Sequence, residues 1–260
     1  MEPSVEKLER RLLDRVARAI GDFALVEDGD RIMVAVSGGK DSYTLLHLLE
    51  RLRRRAPIRF SLLAVNLDQG QPGFPADRLR DWLAGNGYEH RMLRADTYSV
   101  VTRKLGPDET RCWLCSRMRR GVLYDAAVEL GCNKIALGHH RDDLVETLLL
   151  NLFFSGQIKA MPARLVSEDG RNTLIRPLVY CAEREIAAFA GAMAFPILPC
   201  DLCGSQPNLQ RRRVKKLLDD LEAEHPRVRD SLLAALGNVR PTQLLVRGEG
   251  RRGRAHAIAD

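Results

Sequence analysis

One stretch constrains the fold of this chain more than any other: residues 31–42 read Arg-Ile-Met-Val-Ala-Val-Ser-Gly-Gly-Lys-Asp-Ser. An apolar run typical of a buried strand ends at two glycines, and apolar residues at helical spacing follow at once, through Leu52. A strand, a tight glycine turn and a helix N-terminus together bind phosphate, because unpaired backbone N–H groups and the helix dipole both favour an anion. The residues predicted to form this site are Ser37, Gly38, Gly39, Lys40, Asp41 and Ser42.

The motif Ser-Gly-Gly-Lys-Asp-Ser at 37–42 narrows the class of anion site. It is not a Walker A loop, which needs four residues between its first glycine and Gly-Lys-[Ser/Thr], and it is not the dinucleotide-binding fingerprint. It resembles the PP-loop of the ATP pyrophosphatases, enzymes that hold the pyrophosphate end of ATP and transfer the adenylyl group to a substrate oxygen. A glycine-rich turn without a ligand is the alternative, but the strand and helix on either side favour the anion site.

Positive charge is in excess and is clustered along the chain. The 260 residues carry a formal net charge of +7, and 45% of them are hydrophobic, which is ordinary for a chain that buries a core. The excess favours a polyanionic partner, with solvated basic faces as the alternative. Three basic groups stand out: Arg51, Arg53, Arg54 and Arg55; Arg111, Arg117, Arg119 and Arg120; and Arg211, Arg212, Arg213, Lys215 and Lys216.

The sequence shows no membrane-spanning or secretory segment. No stretch reaches the roughly 18 uninterrupted apolar residues of a membrane helix. The first residues, Met-Glu-Pro-Ser-Val-Glu-Lys, lack the apolar centre of a signal peptide. We therefore expect a cytoplasmic protein without a membrane partner.

Strand and helix patterns alternate along most of the chain. Apolar runs predict strands at 31–36, 58–67, 90–93, 134–137 and 173–178, with helical patterns between them. This alternation predicts an α/β fold with a mainly parallel, five-stranded sheet and helices on both faces. The units expected along the chain are an N-terminal helix (1–28), the α/β domain (29–205), a helical extension (206–246) and a disordered basic tail (247–260).

Polar residues and a glycine follow two further predicted strands. Asn66 comes at the end of the second strand, and Gly138 and His139 come directly after the fourth. Ligand sites in parallel α/β sheets lie beyond the carboxyl ends of the strands. We therefore expect these three residues to join the glycine turn in one nucleotide site.

Two Cys-x-x-Cys pairs lie far apart in the sequence. Cys112 and Cys115 form the first pair, and Cys200 and Cys203 form the second. In a cytoplasmic protein this spacing indicates metal binding or thiol chemistry rather than structural disulfides. A zinc site with four thiolates, a redox dithiol and an iron–sulfur cluster all remain open, because spacing alone does not separate zinc from iron.

Four motifs taken together give a more specific resemblance. They are Ser-Gly-Gly-Lys-Asp-Ser at 37–42, Cys-x-x-Cys-Ser-Arg at 112–117, Gly-His-His-Arg-Asp-Asp at 138–143 and Pro-Cys-x-x-Cys-Gly-Ser-Gln-Pro-Asn at 199–208. In this order they are similar to the TtcA family, the tRNA 2-thiocytidine synthetases that thiolate cytidine 32 in the anticodon loop. The likeness extends from about residue 5 to residue 245. The related lysidine synthetases share the loop but lack the cysteine pairs.

This resemblance implies a [4Fe-4S] cluster held by Cys112, Cys115 and Cys203, whose fourth iron is free to carry sulfur. Cys200 is then a neighbour without an assigned role. The resemblance also implies a reaction in two steps, in which the C2 oxygen of cytosine attacks the α-phosphate of ATP and sulfur then displaces AMP. The further cofactors are ATP and Mg²⁺. The implied partners are tRNA, a cysteine desulfurase as sulfur donor, and a second copy of the chain in a homodimer.

Individual residues have expected roles in that reaction. The catalytic set is Lys40 and Asp41 with the three cluster cysteines; Lys40 offsets charge in the transition state, and Asp41 orients the loop or reaches Mg²⁺. Asp142 and Asp143 are further Mg²⁺ candidates, with a helix N-cap as the alternative. His139 and the histidine after it either contact the nucleotide or are structural. The expected tRNA phosphate contacts are Arg117, Arg119, Arg120, Arg211, Arg212 and Arg213.

Two other functions remain open at the level of sequence. One is an enzyme of the same fold that acts on another base or a small molecule, with zinc in place of iron. The other is a non-catalytic RNA-binding protein that keeps ATP as a structural ligand. Metal analysis separates the first from a thiolase, and replacement of Lys40 or Asp41 separates the second.

Overall fold

A six-stranded sheet forms the centre of the computed structural model, which describes residues 4–104, 112–198 and 209–245. The strands in that part of the chain are β1 (Arg31–Ala35), β2 (Ser61–Asp68), β3 (His90–Arg94), β4 (Lys134–Ala136), β5 (Arg164–Val166) and β6 (Thr173–Ile175). Their order across the sheet is β3-β2-β1-β4-β6-β5. Every neighbouring pair is parallel except β5 and β6.

The expectation of five strands is wrong by one. The additional strand, β5, has three residues, all exposed, and pairs antiparallel with β6 through Leu165 opposite Leu174. A short edge strand is not buried on both faces, so the long apolar run that marks the inner strands is missing from its sequence. The mainly parallel α/β architecture itself is confirmed.

Helices connect and flank these strands. Within the described residues they are α1 (Val5–Phe23), α2 (Lys40–Arg53), α3 (Ala76–Gly85), α4 (Thr97–Lys104), α5 (Cys112–Glu129), α6 (Arg141–Ser155), α7 (Glu183–Ala192), α8 (Leu209–Glu224) and α9 (Val228–Gly237). The strand order runs outward from β1 to β3 on one side and from β4 to β5 on the other. Such a switch point opens a crevice at the carboxyl ends of the strands.

Helices cover both faces of the sheet, as its apolar strands predict. Neighbouring residues of β1 point to opposite faces. Ile32 and Val34 belong to the core cluster that includes residues of α1, α2 and α7, whereas Met33 packs with Leu123 and Ala127 of α5. The strand that precedes the glycine turn is therefore packed against helices on both faces of the sheet.

The N-terminal helix packs into the larger of these clusters. α1 buries Leu8, Leu12, Val16 and Ala19, which recur at three- or four-residue spacing along one face. That face contacts α2 and α7. α1 thus packs against α2 and α7, whose first residues, Lys40 and Glu183, lie 3.3 Å apart at the glycine turn.

The C-terminal helices dock on α6 through an apolar contact and a charged one. Val214 and Leu218 of α8 pack against Val145 and Leu149 of α6. Beside them the buried guanidinium of Arg229 in α9 ion-pairs with three carboxylates. Its partners are Asp142 at 3.1 Å, Glu222 at 2.9 Å and Asp219.

Parts of the chain named in the sequence analysis lie outside the described residues. The basic tail expected at 247–260 and the second cysteine pair, Cys200 and Cys203, are among them. The side chains of Cys112 and Trp113, which begin α5, are also outside the description. No helix in the described ranges is long and apolar enough to cross a membrane.

Candidate active site

The glycine turn after β1 has the geometry of an anion site. The N–H of Val36 still donates to the carbonyl of Val65 in the sheet, at 2.8 Å. The chain then turns, and α2 begins at Lys40 with Gly39 as its N-cap residue. No side chain caps this helix, so a ligand has access to the positive end of its dipole.

Two glycines let the backbone approach closely at this turn. Gly38 has φ +86°, and a Cβ there would lie 2.6 Å from Cδ1 of Leu198. A Cβ on Gly138 would lie 3.2 Å from the carbonyl carbon of Asp41. The glycine after β4 therefore packs directly against the first turn of α2, as expected for residues of one site.

The two serines of the motif hold the turn in shape. The hydroxyl of Ser42 donates to the carbonyl of Gly39 at 2.9 Å and lies 3.4 Å from the hydroxyl of Ser37. The N–H of Gly39 in turn donates to the Ser37 hydroxyl at 3.4 Å. The hydroxyls are thus placed at the turn before any ligand arrives.

A cavity of roughly 840 Å³ lies at the carboxyl ends of β1, β2 and β4. Its volume is in the range of sites for small ligands and cofactors. The predicted site residues that line it are Ser37, Gly39, Lys40, Asp41, Ser42, Asn66, Cys115, Arg119, Gly138, His139 and Asp143. The structure therefore brings most of the predicted nucleotide site together with one cysteine of the first pair.

Asn66 is fixed beneath the turn. Its side chain is buried, and Nδ2 donates to the carbonyl of Val36 at 2.7 Å. This bond links the end of β2 to the residue that precedes the motif. Asn66 thereby holds the glycine turn against the neighbouring strand as well as lining the cavity.

His139 is an uncharged part of the cavity wall. Burial, with a smaller effect from the charge of Arg176, lowers the pKa of His139 to about 4. Nδ1 of the ring accepts a hydrogen bond from Nε of Arg176 at 3.3 Å. The ring is therefore neutral at pH 7, with its proton on Nε2. No sequence motif indicated this contact of Arg176.

The next residue, His140, caps α6. Its Nδ1 accepts the N–H of Asp143, and its own N–H donates to the Asp143 carboxylate at 3.1 Å, which completes a capping box. Nε2 of His140 lies 3.7 Å from Oδ1 of Asp41 and 3.5 Å from Oδ2 of Asp143. Two carboxylates that line the cavity are therefore neighbours across one imidazole.

Asp142, unlike Asp41 and Asp143, is engaged by arginines and by a backbone N–H. Oδ1 lies 3.1 Å from Arg229 and 3.3 Å from Arg141, and Oδ2 accepts the N–H of Glu183 at 2.8 Å. Burial alone would raise the pKa of Asp142, but the Glu183 bond and the charge of Arg141 outweigh it and lower that pKa. Of the acidic pair at 142–143, only Asp143 is left to face the cavity.

Lys40 is held by two carboxylates. Its ammonium lies 3.1 Å from Oδ1 of Asp41 and 3.3 Å from Oε1 of Glu183. Burial alone would lower the pKa of Lys40, but the charges of Asp41 and Glu183 raise it. The lysine is therefore fully charged at neutral pH. Sequence reasoning missed Glu183, because an acidic residue in the first turn of a helix is an ordinary feature.

Cys115 lies in the first turn of α5, on the cavity wall. Its partly buried thiol donates to Oε1 of Gln69 at 3.2 Å, and the hydroxyl of Thr97 lies 3.3 Å from the same oxygen. A soft sulfur ligand thus lines the same cavity as the glycine turn. Among the side chains that are described, no group of three His, Cys, Asp or Glu residues is arranged to hold a metal ion.

The chain reaches the glycine turn on its way to the second cysteine pair. Leu198 lines the cavity, and its N–H donates to the carbonyl of Gly38 at 2.9 Å. Where the description resumes, Arg211 of α8 lies 3.5 Å from Asp143 and 3.6 Å from Glu146. Leu198 therefore lines the cavity, and Arg211 contacts a carboxylate that lines it.

The arginines predicted to contact tRNA are exposed on two helices. Arg119 lines the cavity. The exposed members on α5 are Arg117, Arg119 and Arg120, and those on α8 are Arg211, Arg212 and Arg213. Because Arg119 and Arg211 both reach the cavity or its acidic edge, basic side chains stand next to the mouth of the site.

Fold and glycine turn together define a PP-loop α/β protein. A family model described as a PP-loop domain matches residues 111–218, a span that begins beyond the glycine turn itself. The solved structure of the U34-tRNA thiolase NcsA from Methanococcus maripaludis with its [4Fe-4S] cluster is similar, with a TM-score of 0.72 over 90% of this chain and 78% of that one. At 21% identity that likeness shows the fold alone.

Sequence relatives define the family more narrowly. A tRNA-cytidine(32) 2-sulfurtransferase of Anaeromyxobacter dehalogenans (strain 2CP-C) is 67% identical over 94% of this chain and 84% of the relative. Proteins of the same name from Sorangium cellulosum (60% identical, covering 95% and 87%) and Cupriavidus necator (55%, covering 92% and 76%) also match. The chain belongs to the tRNA-cytidine(32) 2-sulfurtransferase family.

Proposed function

We propose that this protein converts cytidine 32 of tRNA to 2-thiocytidine, with ATP as the activating substrate and sulfur delivered beside the nucleotide. The family membership supports this activity. The observation that carries it within the structure is the position of Cys115, which lines the same cavity as the PP-loop. Activation of an oxygen and delivery of sulfur then take place within one pocket.

In the activation step, the C2 oxygen of cytosine attacks the α-phosphate of ATP, and pyrophosphate leaves. The PP-loop binds the pyrophosphate end through the backbone N–H groups at the N-terminus of α2, in a turn that the hydroxyls of Ser37 and Ser42 hold in shape. Charge that develops on the leaving group is offset by Lys40. Asn66, Gly138 and the neutral His139 form the wall for the rest of the nucleotide.

Asp41 and Asp143 are the residues that would hold Mg²⁺. Both line the cavity, both lie beside Nε2 of His140, and carboxylate oxygens are the hard ligands that this ion prefers. Asp142 is not included, because its oxygens are engaged by Arg141, Arg229 and the backbone of α7. Of the three aspartates that the sequence offers as Mg²⁺ ligands, two therefore remain.

Cys112, Cys115 and Cys203 would hold a [4Fe-4S] cluster. The thiol of Cys115 fits this role, since it is a soft ligand on the cavity wall. Leu198 is anchored at the PP-loop and precedes Cys203 by five residues, a chain length of at most about 18 Å, which is short enough for Cys203 to reach the same site. With three cysteine ligands, such a cluster supplies one open iron position for the sulfur that displaces AMP.

The tRNA would approach over the basic helices. The exposed arginines of α5 and α8 are placed to bind phosphates around the anticodon loop. A base in a loop is unstacked at low cost and can enter a pocket. We assign the sulfur supply to a cysteine desulfurase persulfide, whose outer sulfur is brought to the sulfide level by two electrons from a separate cellular reductant. We assign the assembly to a homodimer and the location to the cytoplasm, where tRNA is modified.

The test is anaerobic purification of the full chain, followed by assay with ATP, Mg²⁺ and unmodified tRNA. We expect iron and acid-labile sulfide in the protein, and AMP and pyrophosphate formed only when tRNA is present. Zinc without iron would instead favour an enzyme of this fold with different chemistry. Undiminished thiolation by Lys40→Met would indicate that ATP is a structural ligand, and the proposal would fail.

A further inference from the structure

Three charged side chains from three separate helices meet at the edge of the PP-loop. Oε1 of Glu183, in α7, lies 3.3 Å from the ammonium of Lys40 in α2. Oε2 of the same carboxylate lies 2.6 Å from the ammonium of Lys215 in α8. Glu183 therefore bridges the PP-loop lysine to a lysine of the C-terminal helical extension.

The bridging carboxylate is itself fixed in place. The N–H of Glu183 donates to Oδ2 of Asp142 at 2.8 Å, and Oδ1 of Asp142 lies 3.1 Å from the buried guanidinium of Arg229. The start of α7 is thus tied to α6 and α9. A side chain that leaves from a fixed backbone and forms two ion pairs has little freedom to move, so it can hold a flexible lysine in one position.

Glu183 is charged under all ordinary conditions. Burial alone would raise its pKa, but the hydrogen bond from Lys215 and the charges of Lys40 and Lys215 lower the pKa of Glu183 to about 2. Its carboxylate therefore faces Lys40 together with that of Asp41, which lies 3.1 Å from the same ammonium. Glu183 therefore cancels positive charge that Lys40 would otherwise offer to a triphosphate, whether Asp41 pairs with Lys40 or holds Mg²⁺.

Lys215 removes this electrostatic penalty. With Lys215 present, the group of two lysines and two carboxylates is neutral, and without it the group carries a net negative charge. Lys215 is only half-exposed and is paired to Glu183 rather than directed at Lys40, so its effect on a bound nucleotide passes through Glu183. The extension that carries the predicted tRNA arginines thus reaches the nucleotide site through one carboxylate.

We propose that Glu183 is a positioning residue that holds the Lys40 ammonium at the PP-loop, and that Lys215 neutralises Glu183 so that ATP binds there. This inference rests on the proposed function, because it gives Lys40 the task of binding and stabilising phosphate. It assigns the C-terminal extension a second role, in nucleotide binding, beside the expected contact with tRNA.

Glu183→Gln keeps the length of the side chain and removes its charge. We expect the rate of AMP formation at saturating ATP to fall by about tenfold or more, because Lys40 is no longer held for the transition state. The Kd of ATP should stay within about threefold of wild type or become tighter, because a repelling carboxylate is gone. A merely structural residue would not separate the rate from the affinity in this way.

Lys215→Met should give the opposite pattern. The uncompensated Glu183 carboxylate weakens ATP binding by about fivefold to tenfold, while the rate at saturating ATP changes little. In the Glu183→Gln background, Lys215→Met should add less than about twofold, since the charge that Lys215 compensates is absent. This double-mutant cycle separates action through Glu183 from direct contact between Lys215 and a ligand.

Two exchanges on the same helices serve as matched controls. Glu185→Gln alters the same turn of α7, but Glu185 pairs with Arg11 and Arg15 of α1. Lys216→Met alters the neighbouring lysine of α8, which pairs with Asp220. Glu185→Gln should leave the Kd of ATP and the rate of AMP formation near wild type, and Lys216→Met should leave the Kd of ATP near wild type.

The experiment is calorimetric titration of the full chain with Mg-ATP, combined with single-turnover AMP formation in the presence of tRNA. If the wild-type protein does not bind ATP, the proposed function itself is wrong. Normal wild-type behaviour with an unchanged rate in Glu183→Gln would overturn this inference alone, as would an equal Lys215→Met effect in both backgrounds. Should Glu183→Gln fold poorly, Glu183→Asp replaces it, with a lowered rate and near-normal ATP affinity expected.

Discussion

The N–H of Leu198 donates to the carbonyl oxygen of Gly38 at 2.9 Å. This single bond ties the segment that leads to the second cysteine pair to the most confined residue of the PP-loop. Gly38 has φ +86°, and the side chain of Leu198 occupies the space that any Cβ on Gly38 would need. The PP-loop and Leu198, the last described residue before the second cysteine pair, are therefore in direct contact.

Gly38→Ala should damage this contact and the anion site together. The alanine would be strained at positive φ, at about 1–3 kcal/mol, and its Cβ would lie 2.6 Å from Cδ1 of Leu198. We expect ATP affinity to fall by on the order of tenfold or more, as the turn shifts away from the anion. Titration with Mg-ATP and urea unfolding measure the two effects.

Gly29→Ala is the matched control for Gly38→Ala. Gly29 has nearly the same backbone conformation, φ +83°, but nothing lies within 4 Å of a Cβ placed there. It should lose a similar part of the free energy of unfolding through strain alone and keep its ATP affinity. Equal ATP affinity in both variants would contradict the role given to the Leu198 contact.

Cys115→Ser should reduce the iron and acid-labile sulfide content of the anaerobic protein by more than about half, because a cluster loses one of three protein thiolates. Cys132→Ser is the comparison, since Cys132 is buried and packs with Met33 and Ile135 on the α5 face of the sheet. That variant should lose some stability and retain iron. Elemental analysis with a sulfide assay reads both, and full iron in Cys115→Ser would count against the ligand assignment.

Arg229→Met should loosen the C-terminal helices. The change leaves Asp142 and Glu222 with one guanidinium fewer each and removes the ion pair between Arg229 and Asp219. We expect a loss of about 2–3 kcal/mol in the free energy of unfolding, measured by urea titration. The exposed Arg227→Met exchange on the same turn should stay within about 0.5 kcal/mol of wild type. A neutral Arg229→Met would mean that apolar packing alone docks the extension.

His139 should make the folded protein sensitive to mild acid. Its pKa is about 4 in the folded chain and about 6.5 in the unfolded chain. The unfolded state therefore binds the proton first, so this contribution to stability is complete above pH 6.5 and is lost as the pH falls towards 4. Between pH 7 and pH 5 the wild type should lose about 2 kcal/mol more than His139→Asn. Parallel pH dependences in urea unfolding would contradict a neutral, half-buried imidazole at His139.

Much of the fold follows from local patterns in the sequence. The apolar run at 31–36 and the helical pattern after Gly39 determine β1 and α2, because a buried parallel strand and an amphipathic helix each leave a clear period. β5 is different, since three exposed residues at a sheet edge satisfy no period. Its pairing with β6 depends on tertiary contact, which a local pattern does not contain.

Some residues of the candidate site also follow from local sequence patterns, whereas others depend on tertiary contacts. Motif residues such as Asn66 and His139 could be placed in advance, because parallel strands end at one edge of the sheet. Glu183 and Arg176 could not, since their roles depend on which helices pack against the PP-loop. The sequence also left two roles open for Asp142 and Asp143, and the contacts of Arg229 show that one of the two carboxylates is committed to helix packing.

Nucleoside analysis of tRNA is the most direct test of whether this protein thiolates cytidine 32. Total tRNA from a strain that lacks this gene is digested and examined for 2-thiocytidine by mass spectrometry, with the wild-type chain and Cys115→Ser restored in parallel. We expect 2-thiocytidine to be absent from the deletion strain, to return with the wild-type chain and not to return with Cys115→Ser. Retention of 2-thiocytidine in the deletion strain would contradict this expectation.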